Sequence, residues 1–279
     1  MFDTIEKLDH SLIQHGPANN RIYLMKVSGQ DLPELLDKMD AMAQQNHYTK
    51  IFTKVPLQTK PLFEARGYIE EAVIPGFFHG DTEAVFLSRF VDPQREQDPS
   101  QKQLEEILDI AAEKVEQPEI KSLPDGFEIR QVRSDEAEAM AAIFKVVFES
   151  YPFPVHDPDY LRETMETHIE YYAAYENGTM VAVSSAEMDT EAENVEMTDF
   201  ATLPDYRGKG LASCLLSYME NRMLEKGIQT GYTIARALSA GMNITFARAG
   251  YTYAGTLTNN TNICGQLESM NVWYKLLSA

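Results

Sequence analysis

One strand, loop and helix in the second half of the chain constrain its fold more than any other feature. The sequence predicts a β-strand over Val195–Leu203, a turn closed by a proline, and a helix over Leu211–Lys226, with the basic run Arg207-Gly-Lys-Gly210 between them. Glycines let such a loop bend so that consecutive N–H groups point into one cavity, and the helix N-terminus adds unpaired amides and the positive end of its dipole. This order predicts a binding site for a pyrophosphate.

Other nucleotide-binding motifs do not fit the loop. The chain contains neither G-x-G-x-x-G nor G-x-x-x-x-G-K-[ST], because Gly208-Lys-Gly210 runs into Leu-Ala-Ser. The motif Arg207-x-x-Gly210-x-Ala212, preceded by a strand end with Thr202-x-Pro204, instead resembles the acetyl-coenzyme A signature R/Q-x-x-G-x-G/A of the GNAT superfamily of N-acetyltransferases. The resemblance implies that acetyl-coenzyme A (acetyl-CoA) binds here as cosubstrate.

The resemblance also implies which residues touch the cofactor. The free backbone groups of a splayed central strand would pair with the pantetheine arm, namely those of Phe200, Ala201 and Thr202. The loop and first helical turn would surround the pyrophosphate, through Arg207, Gly208, Lys209, Gly210, Leu211, Ala212 and Ser213. Arg207 and Lys209 could also be plain surface charges, but their position on a glycine loop favours phosphate contact.

The predicted elements after residue 126 have the order of the GNAT fold, β-α-α-β-β-β-α-β-α-β-β. We therefore expect an α/β (α+β) domain with a mixed, splayed central sheet over residues 127–279. Three local signals support the assignment: Ser134 as a helix N-cap, Asp157-Pro158 as the start of a short helix over Asp159–Ile169, and Asn177-Gly178 as a hairpin turn.

The first 126 residues carry a weaker copy of the same pattern. We expect a smaller α/β domain over residues 1–91, which begins with a polar stretch, and a linker over residues 92–126 with one helix. Phe63-Glu-Ala-Arg-Gly67-Tyr68 matches Phe246-Ala-Arg-Ala-Gly250-Tyr251, and the elements around both agree in kind, although helices ending in Gly-Tyr also arise by chance. The first copy lacks the Arg-Gly-Lys-Gly loop. The sequence therefore predicts a degenerate half-GNAT domain that cannot hold pyrophosphate.

The charge of the chain limits its partners. Its 43 acidic and 24 basic residues give a formal net charge of −19, which disfavours nucleic acid and anionic membranes and suits a small cationic substrate. The first residues lack a signal-peptide pattern, and no apolar run is long enough to cross a bilayer. We expect a cytoplasmic protein, and a homodimer is compatible with the sequence.

The cysteines and histidines suggest neither a disulfide framework nor a metal site. Cys214 and Cys264 form no CxxC pair, and the six histidines have no metal-ligand spacing. We expect Cys214 to be a small core residue and expect no bound metal.

The reaction that the resemblance implies is attack of an amine on a thioester. A lysine-type ammonium has a pKa of about 10.4, so a nearby base must remove a proton. Glu196 occupies the place where some members of the superfamily carry their base, and strand alternation puts Asp199 on the opposite face. We predict Glu196 as the base, with Asp199 as the second candidate, and a backbone N–H at the strand end for the oxyanion. The chain has Phe246 where many members have a tyrosine acid, and Ile234 where others have a glutamate base.

Segments 150–158, 184–187 and 196–204 resemble the β-lysine N-acetyltransferase family, which also carries an N-terminal extension. This resemblance spans the whole chain and implies acetylation of the ε-amine of β-lysine, whose product is suited to accumulation as an osmolyte. It implies acidic contacts for the amines and aromatic pocket walls, for which the candidates are Asp199, Glu149, Asp157, Tyr151 and Phe153. A polyamine, an aminoglycoside or a protein lysine stays open as acceptor. A non-catalytic coenzyme A sensor also stays open, because Phe246 and Ile234 replace catalytic residues found elsewhere in the superfamily.

Overall fold

The computed structural model describes residues 2–115, 122–263 and 265–277, which form one mixed sheet flanked by helices. The strands are β1 (Thr4–Leu8), β2 (Ser11–Gly16), β3 (Arg21–Lys26), β4 (Lys50–Pro56), β5 (Ile69–Phe78), β6 (Thr82–Phe90), β7 (Phe127–Gln131), β8 (Ile169–Glu176), β9 (Thr179–Asp189), β10 (Asn194–Thr202), β11 (Thr230–Arg236), β12 (Thr252–Ile263) and β13 (Gln266–Leu276). The helices are α1 (Glu34–Asn46), α2 (Lys60–Glu64), α3 (Gln101–Val115), α4 (Ala137–Val147), α5 (Pro158–Met165), α6 (Leu211–Glu225) and α7 (Ala240–Arg248).

The sheet has two halves with the same strand order. Counted outward from the line where β5 meets β12, the N-terminal half runs β5-β6-β4-β3-β2-β1 and the C-terminal half runs β12-β13-β11-β10-β9-β8-β7. In each half one pair is parallel, β3 with β4 and β10 with β11, and the other neighbours are antiparallel. Parallel strands need a crossover connection, which α1 and α6 supply. The predicted mixed sheet is confirmed.

The two halves join at a narrow seam. Only Ala72 of β5 and Gly255 of β12 pair directly across it in the described sheet. A Cβ at Gly255 would lie 2.0 Å from the carbonyl oxygen of Glu71. Glycine is therefore required here, because the two backbones approach too closely for any side chain.

Helix α6 packs on the C-terminal half through an apolar stripe. Its buried residues are Leu211, Cys214, Leu215, Leu216, Met219 and Met223. All of these except Cys214 belong to the apolar cluster that includes Val195 and Met197 of β10. The helix ends at Glu225, and Gly227, with φ of 79°, follows its C-cap Lys226. The N–H of Ile228 donates to the carbonyl of Met223 at 3.1 Å. The expected core position of Cys214 and the C-terminal glycine are confirmed.

Strand β10 separates from β11 partway along its length. The two pair over Asn194, Val195 and Glu196 only, whereas β10 stays paired with β9 as far as Thr202. Beyond Glu196 the edge of β10 that faces β11 is therefore free of strand partners among the described residues. The predicted splay of the central sheet is confirmed, and it opens the space in which the site lies.

The sheet curls, so that strands far apart in its order touch. Lys54 of β4 donates from Nζ to the Tyr232 hydroxyl of β11 at 2.9 Å, and Lys26 of β3 forms an ion pair of 3.1 Å with Glu191 beyond β9. Both halves contribute to one apolar cluster, which includes Tyr23, Phe52, Phe77, Tyr232, Leu257 and Met270. The faces of β2–β4 and β9–β11 consequently enclose a space between them.

Some local predictions differ from the structure. The opening polar stretch forms β1 and β2, which were not predicted because β1 is an exposed edge strand. The helix predicted over Asp159–Ile169 ends at Met165, because Ile169 already pairs with Glu187 in the β8–β9 ladder. Ser134 opens a single turn of 3-10 helix and does not cap α4.

Two turn signals are confirmed. The Asp157 side chain accepts the N–H of Asp159 at 3.0 Å at the start of α5. Asn177 and Gly178 both have positive φ, 50° and 79°, as a tight hairpin turn between β8 and β9 requires. Local residue chemistry therefore decides both features.

The proposed division into residues 1–91, 92–126 and 127–279 stays a prediction. Helix α3 lies in the predicted linker and packs on α7, with Leu104, Ile107 and Ala111 buried. Residues 116–121 of that linker, and Cys264, lie outside the described residues. Of the helices in the described part of the chain, none is both long and apolar enough to span a bilayer.

Candidate active site

A cleft of about 600 Å³ opens where β10 and β11 separate, at the N-terminus of α6. Most residues predicted to bind acetyl-CoA lie on its wall: Phe200, Thr202, Arg207, Gly208, Gly210, Leu211, Ala212 and Ser213. Gly208 and Gly210 have φ of 79° and 78°, which glycine adopts without strain. A Cβ at Gly208 would meet no atom within 4 Å, so the space next to this backbone is open to a ligand.

The start of α6 suits an anion. The N–H of Cys214 donates to the carbonyl of Gly210 at 3.1 Å, so the amides of the three preceding residues come before the first helical hydrogen bond. The first turn contains no acidic residue that would neutralise the positive end of the helix dipole. Arg207 is exposed beside it, with Nε 3.4 Å from the carbonyl oxygen of Thr202. Together these groups fit a diphosphate.

Two of the predicted cofactor residues are not on the cleft wall. Lys209 lies over the rings of Phe127 and Tyr206, with Nζ 5.4 and 5.1 Å from their centroids. Ala201 is buried in the apolar cluster beneath α4 and pairs with Val183 of β9. Their roles stay predictions, and Lys209 would have to leave the rings to reach a phosphate.

A second cavity, of about 510 Å³, adjoins the cleft, and we call it the acceptor cavity. The two spaces share the wall formed by Tyr151, Thr198, Asp199, Ile234, Ile263 and Met270. Strands β9–β11 form one side of the acceptor cavity, and β2–β4 of the N-terminal half form the other. A molecule in this cavity can therefore meet one in the cleft at the shared wall.

Five acidic residues line the acceptor cavity, and two of them, Asp189 and Glu191, form ion pairs with Lys26. The other three are Glu187, Glu196 and Asp199. Burial is the largest cause that raises the pKa of each. The charges of Glu196 and Asp199 raise the pKa of Glu187 further, to well above its ordinary value. The cavity therefore favours a cation among these groups.

Glu196 has partners from both sides of the cavity. The Lys54 ammonium, the Tyr232 hydroxyl and the N–H of Ile234 each lower the pKa of Glu196, while the charge of Asp199 raises it, and burial outweighs the lowering causes. The carboxylate therefore lies between a cation from the N-terminal half and an anion from its own strand.

The prediction that Asp199 faces away from Glu196 is wrong. Strand β10 bulges between Thr198 and Ala201, where its register with β9 shifts, and Asp199 has φ of 55°. A bulge adds one residue and breaks the alternation of side chains. Asp199 therefore shares the cavity with Glu196, where it accepts hydrogen bonds from the Tyr151 hydroxyl and, at 2.6 Å, from Ser185 Oγ.

The loop between α4 and α5 supplies part of the acceptor wall. Tyr151 and Phe153 line the cavity, as predicted for the pocket aromatics. Glu149 and Asp157 are exposed and are not on its wall, and the Asp157 carboxylate instead caps α5. The structure therefore brings Asp199 to the cavity but not the other two predicted acidic contacts.

Phe246 and Ile234 both line the cofactor cleft. Phe246 is fully buried, with its ring 5.6 Å from Phe200 and 5.0 Å from Tyr251 in edge-on contacts. Neither side chain can give or take a proton. Acid or base chemistry at this wall must come from other residues.

Sequence reasoning missed Glu187, Lys54, Tyr23 and Arg21, which all line the acceptor cavity. The sequence pattern that could have revealed them is a polar residue within an otherwise buried strand. Lys54, for example, lies between the buried residues Thr53 and Val55 of β4. In the described ranges, no group of histidines, cysteines and carboxylates has an arrangement that could hold a metal ion.

Comparison with known proteins agrees with this geometry. Residues 137–251 match the model of the family described as "Acetyltransferase (GNAT) family". The chain is 40% identical to the beta-lysine N(6)-acetyltransferase of Methanococcus maripaludis, over 98% of this chain and 99% of that protein. It is 30% identical to the N-acetyltransferase YodP of Bacillus subtilis, over 96% of each chain, and 30% identical to the beta-lysine N(6)-acetyltransferase of Methanosarcina mazei, over 88% of this chain and 97% of that protein.

Proposed function

This chain is a GNAT N-acetyltransferase of the beta-lysine N(6)-acetyltransferase family, and we propose that it transfers the acetyl group of acetyl-CoA to the ε-amine of β-lysine. The observation that carries the acceptor class is the group of three carboxylates beside the cofactor cleft. Buried carboxylates repel one another and are poorly solvated, so their ionised forms need a cation among them. Lys54 supplies one positive charge, beside Glu196, and an alkylammonium would supply another. The similarity to two beta-lysine N(6)-acetyltransferases supports β-lysine as its source.

The cleft residues fit acetyl-CoA, which supplies a thioester carbon open to attack and a thiolate that leaves. The amides at the start of α6 and the Arg207 guanidinium would hold the diphosphate. The free edge of β10, at Phe200 and Thr202, offers backbone groups to an extended arm as a neighbouring strand would. A backbone N–H at this edge would donate to the oxygen on which negative charge develops.

Glu196 would act as the general base. The acceptor ammonium, with a pKa of about 10.4 in water, must lose a proton before its nitrogen can attack. Burial raises the pKa of Glu196 towards that of the amine, which makes the transfer less unfavourable while the Lys54 charge keeps the carboxylate ionisable. Asp199, oriented by Tyr151 and Ser185, is the second candidate. A thiol pKa of about 8.5 lets the thiolate leave with little acid help, which suits the apolar Phe246.

The product would carry one positive charge fewer than the acceptor. Acetylated β-lysine is a neutral zwitterion, suited to accumulation as an osmolyte in the cytoplasm. A cytoplasmic location and a homodimeric assembly belong to the same proposal.

Release of free thiol from acetyl-CoA, measured across a panel of amines, tests the function. The panel contains β-lysine, α-lysine, spermidine, an aminoglycoside and a lysine-containing peptide. We expect release with β-lysine at the highest kcat/KM, and NMR of the product should place the acetyl group on the ε-nitrogen. Release with spermidine alone would overturn the β-lysine assignment. No release above background with any amine would favour the coenzyme A sensor.

A further inference from the structure

Arg21 of β3 is a buried cation in the wall of the acceptor cavity, and it does not line the cofactor cleft. The residue is 5% exposed, and in the described ranges no carboxylate forms an ion pair with it. Its Nη1 donates to the carbonyl oxygen of Asn260 and lies 3.4 Å from Thr261 Oγ1. Its buried Nε has no hydrogen-bond partner among the described residues. The guanidinium lies over the rings of Tyr23 and Phe52, 5.4 and 5.6 Å from their centroids. A buried charge is costly unless it is paired, and in the described part of the chain this one has aromatic contacts and carbonyl or hydroxyl oxygens but no carboxylate in ion-pair contact.

Two further polar atoms in this cavity wall also lack partners. Nε2 of Gln14, on β2, and Oδ1 of Asn260, on β12, are buried and form no hydrogen bond within the part of the chain that the structure describes. Their residues are 2% and 1% exposed. Buried polar groups are nearly always satisfied in native proteins, so unpaired donors and an unpaired acceptor in one cavity wall indicate a ligand with both kinds of group.

Arg95 shows what a saturated buried arginine looks like in the same half of the molecule. Its three guanidinium nitrogens donate to the carbonyl oxygens of Asn19, Asn20 and Asn259, and one of them also to Thr49 Oγ1. Arg95 therefore ties the segments before β3 and β4 to strand β12 as a structural residue. Arg21 differs because an edge of its guanidinium remains unused.

We propose that Arg21 and Gln14 bind the carboxylate of the acceptor, and that Asn260 accepts a hydrogen bond from the amine next to it. The inference rests on the proposed function, because a β-amino acid carries its carboxylate and its β-amine close together. A guanidinium offers two parallel N–H donors to a carboxylate, which makes it the preferred residue for such recognition. The unpaired atoms in the wall match the polar groups at the non-reacting end of β-lysine.

Strand β3 runs from the proposed carboxylate site at Arg21 towards the proposed base, Glu196. Arg21 and Tyr23 are alternate residues on one face of the strand, about 7 Å apart. Tyr23 and Glu196 both line the acceptor cavity. Burial is the largest cause that raises the pKa of the Tyr23 phenol, and the charge of Glu196 raises it further. A six-carbon chain that starts at Arg21 and passes Tyr23 would present its terminal amine to the carboxylates of the C-terminal half.

This arrangement gives the N-terminal half a task in selectivity. A polyamine has no carboxylate, so its binding would leave Arg21 buried and unpaired, and it would be disfavoured relative to β-lysine. The half that lacks a cofactor loop would therefore choose the acceptor.

The variant R21Q tests the proposal, with R66Q as its control. Arg66 is also an arginine of the N-terminal half, but it forms a surface ion pair with Asp37. We expect R21Q to raise KM for β-lysine about 100-fold, as expected for losing one partner of a buried charge pair, with kcat changed less than about threefold. R66Q should match the wild type.

Substrate analogues separate a direct contact from a general defect. With β-lysine amide, which lacks the carboxylate charge, wild type and R21Q should have the same KM, because the contact is already absent. An unchanged KM of R21Q for β-lysine would overturn the proposal, as would equal losses with acid and amide. Wild-type enzyme without β-lysine turnover would instead refute the proposed function.

A second variant guards against misfolding of R21Q. Calorimetric binding of coenzyme A, which uses the other cavity, should be unchanged in a folded R21Q protein. If that binding is lost, Q14L replaces it, with an expected rise of about tenfold in KM for β-lysine and none for the amide. No such rise in Q14L would contradict the proposal.

Discussion

The connections from β3 to α1 and from β10 to α6 occupy equivalent places in the two halves of the sheet. Each leaves a central strand, enters a crossover helix and returns to a parallel neighbour. In the C-terminal half the connection contains Gly208 and Gly210, both with positive φ, beside an open cleft. In the N-terminal half it forms a short 3-10 turn over Gly29–Asp31 and enters α1 behind Pro33. One connection is open to a ligand, and the other closes on its own chain.

Asp31 shows why the N-terminal connection cannot hold a diphosphate. Its buried carboxylate accepts the N–H of His10 at 3.0 Å and the Ser11 hydroxyl at 2.5 Å, and these hydrogen bonds lower its pKa. A fixed negative charge just before a helix repels a phosphate. The comparison teaches that a repeated topology preserves the path of the chain, whereas a few loop residues decide what it binds.

The largest expected effect is a difference in coenzyme A affinity between variants of the two connections. The variant G210D places a negative charge where the diphosphate would lie, and we expect it to weaken coenzyme A binding about 100-fold or more, since like charges in contact cost several kcal/mol. G29D is the matched control, because a Cβ at Gly29 meets no atom within 4 Å and no ligand is expected there. Isothermal titration calorimetry measures both. Retained affinity in G210D, or equal loss in G29D, would break the comparison.

A smaller effect separates the central strands by catalysis. Glu196 pairs with Tyr232 at the third register position of β10 and β11, as Tyr23 pairs with Phe52 in β3 and β4. We expect E196Q to lower kcat about 100- to 1000-fold, the usual loss for a general base, with KM for acetyl-CoA nearly unchanged. The control is I22V, in the equivalent strand β3 at a core position that lines neither cavity, and it should change kcat less than about threefold. Steady-state kinetics with β-lysine decide this, and similar losses in both variants would remove the distinction between the strands.

The smallest expected effect concerns the pH dependence of catalysis. Each half of the sheet places one charged residue near the proposed base, Glu196. Asp199 raises the pKa of Glu196 and Lys54 lowers it. The acid limb of the kcat/KM profile should therefore move to lower pH in D199N and to higher pH in K54M, each by about one unit or less. Shifts in the same direction in both variants would contradict the assignment of Glu196 as base.

Local signals in the sequence predicted the loop and the helix that form one wall of the cleft. These signals are the glycines and the apolar stripe of α6, and the turn at Asn177-Gly178 is another local signal. Each depends on only a few neighbouring residues, so it can be recognised in the sequence before the fold is known. The acceptor cavity could not be predicted in this way. Lys54 and Glu187 meet only because the sheet curls, and neither strand encodes that curl alone.

The bulge in β10 was equally hidden. It occurs at Asp199, where strand alternation was assumed and no glycine marks the change in backbone direction. Aspartate tolerates positive φ better than most residues, which is a weak signal on its own. One irregular residue thus places the Asp199 carboxylate in the cavity with Glu196, and not on the opposite face of the strand as alternation predicts.

The backbone contact at Gly255 has a further consequence for how this protein could be divided. A fragment cut between the halves would expose the rim of β5 on one piece and of β12 on the other, with no bulky side chain at Gly255 to shield it. Exposed edge strands can pair with strands of other molecules, which promotes aggregation. Each half thus acts as the other's protective cover, which is a reason for keeping both in a single polypeptide.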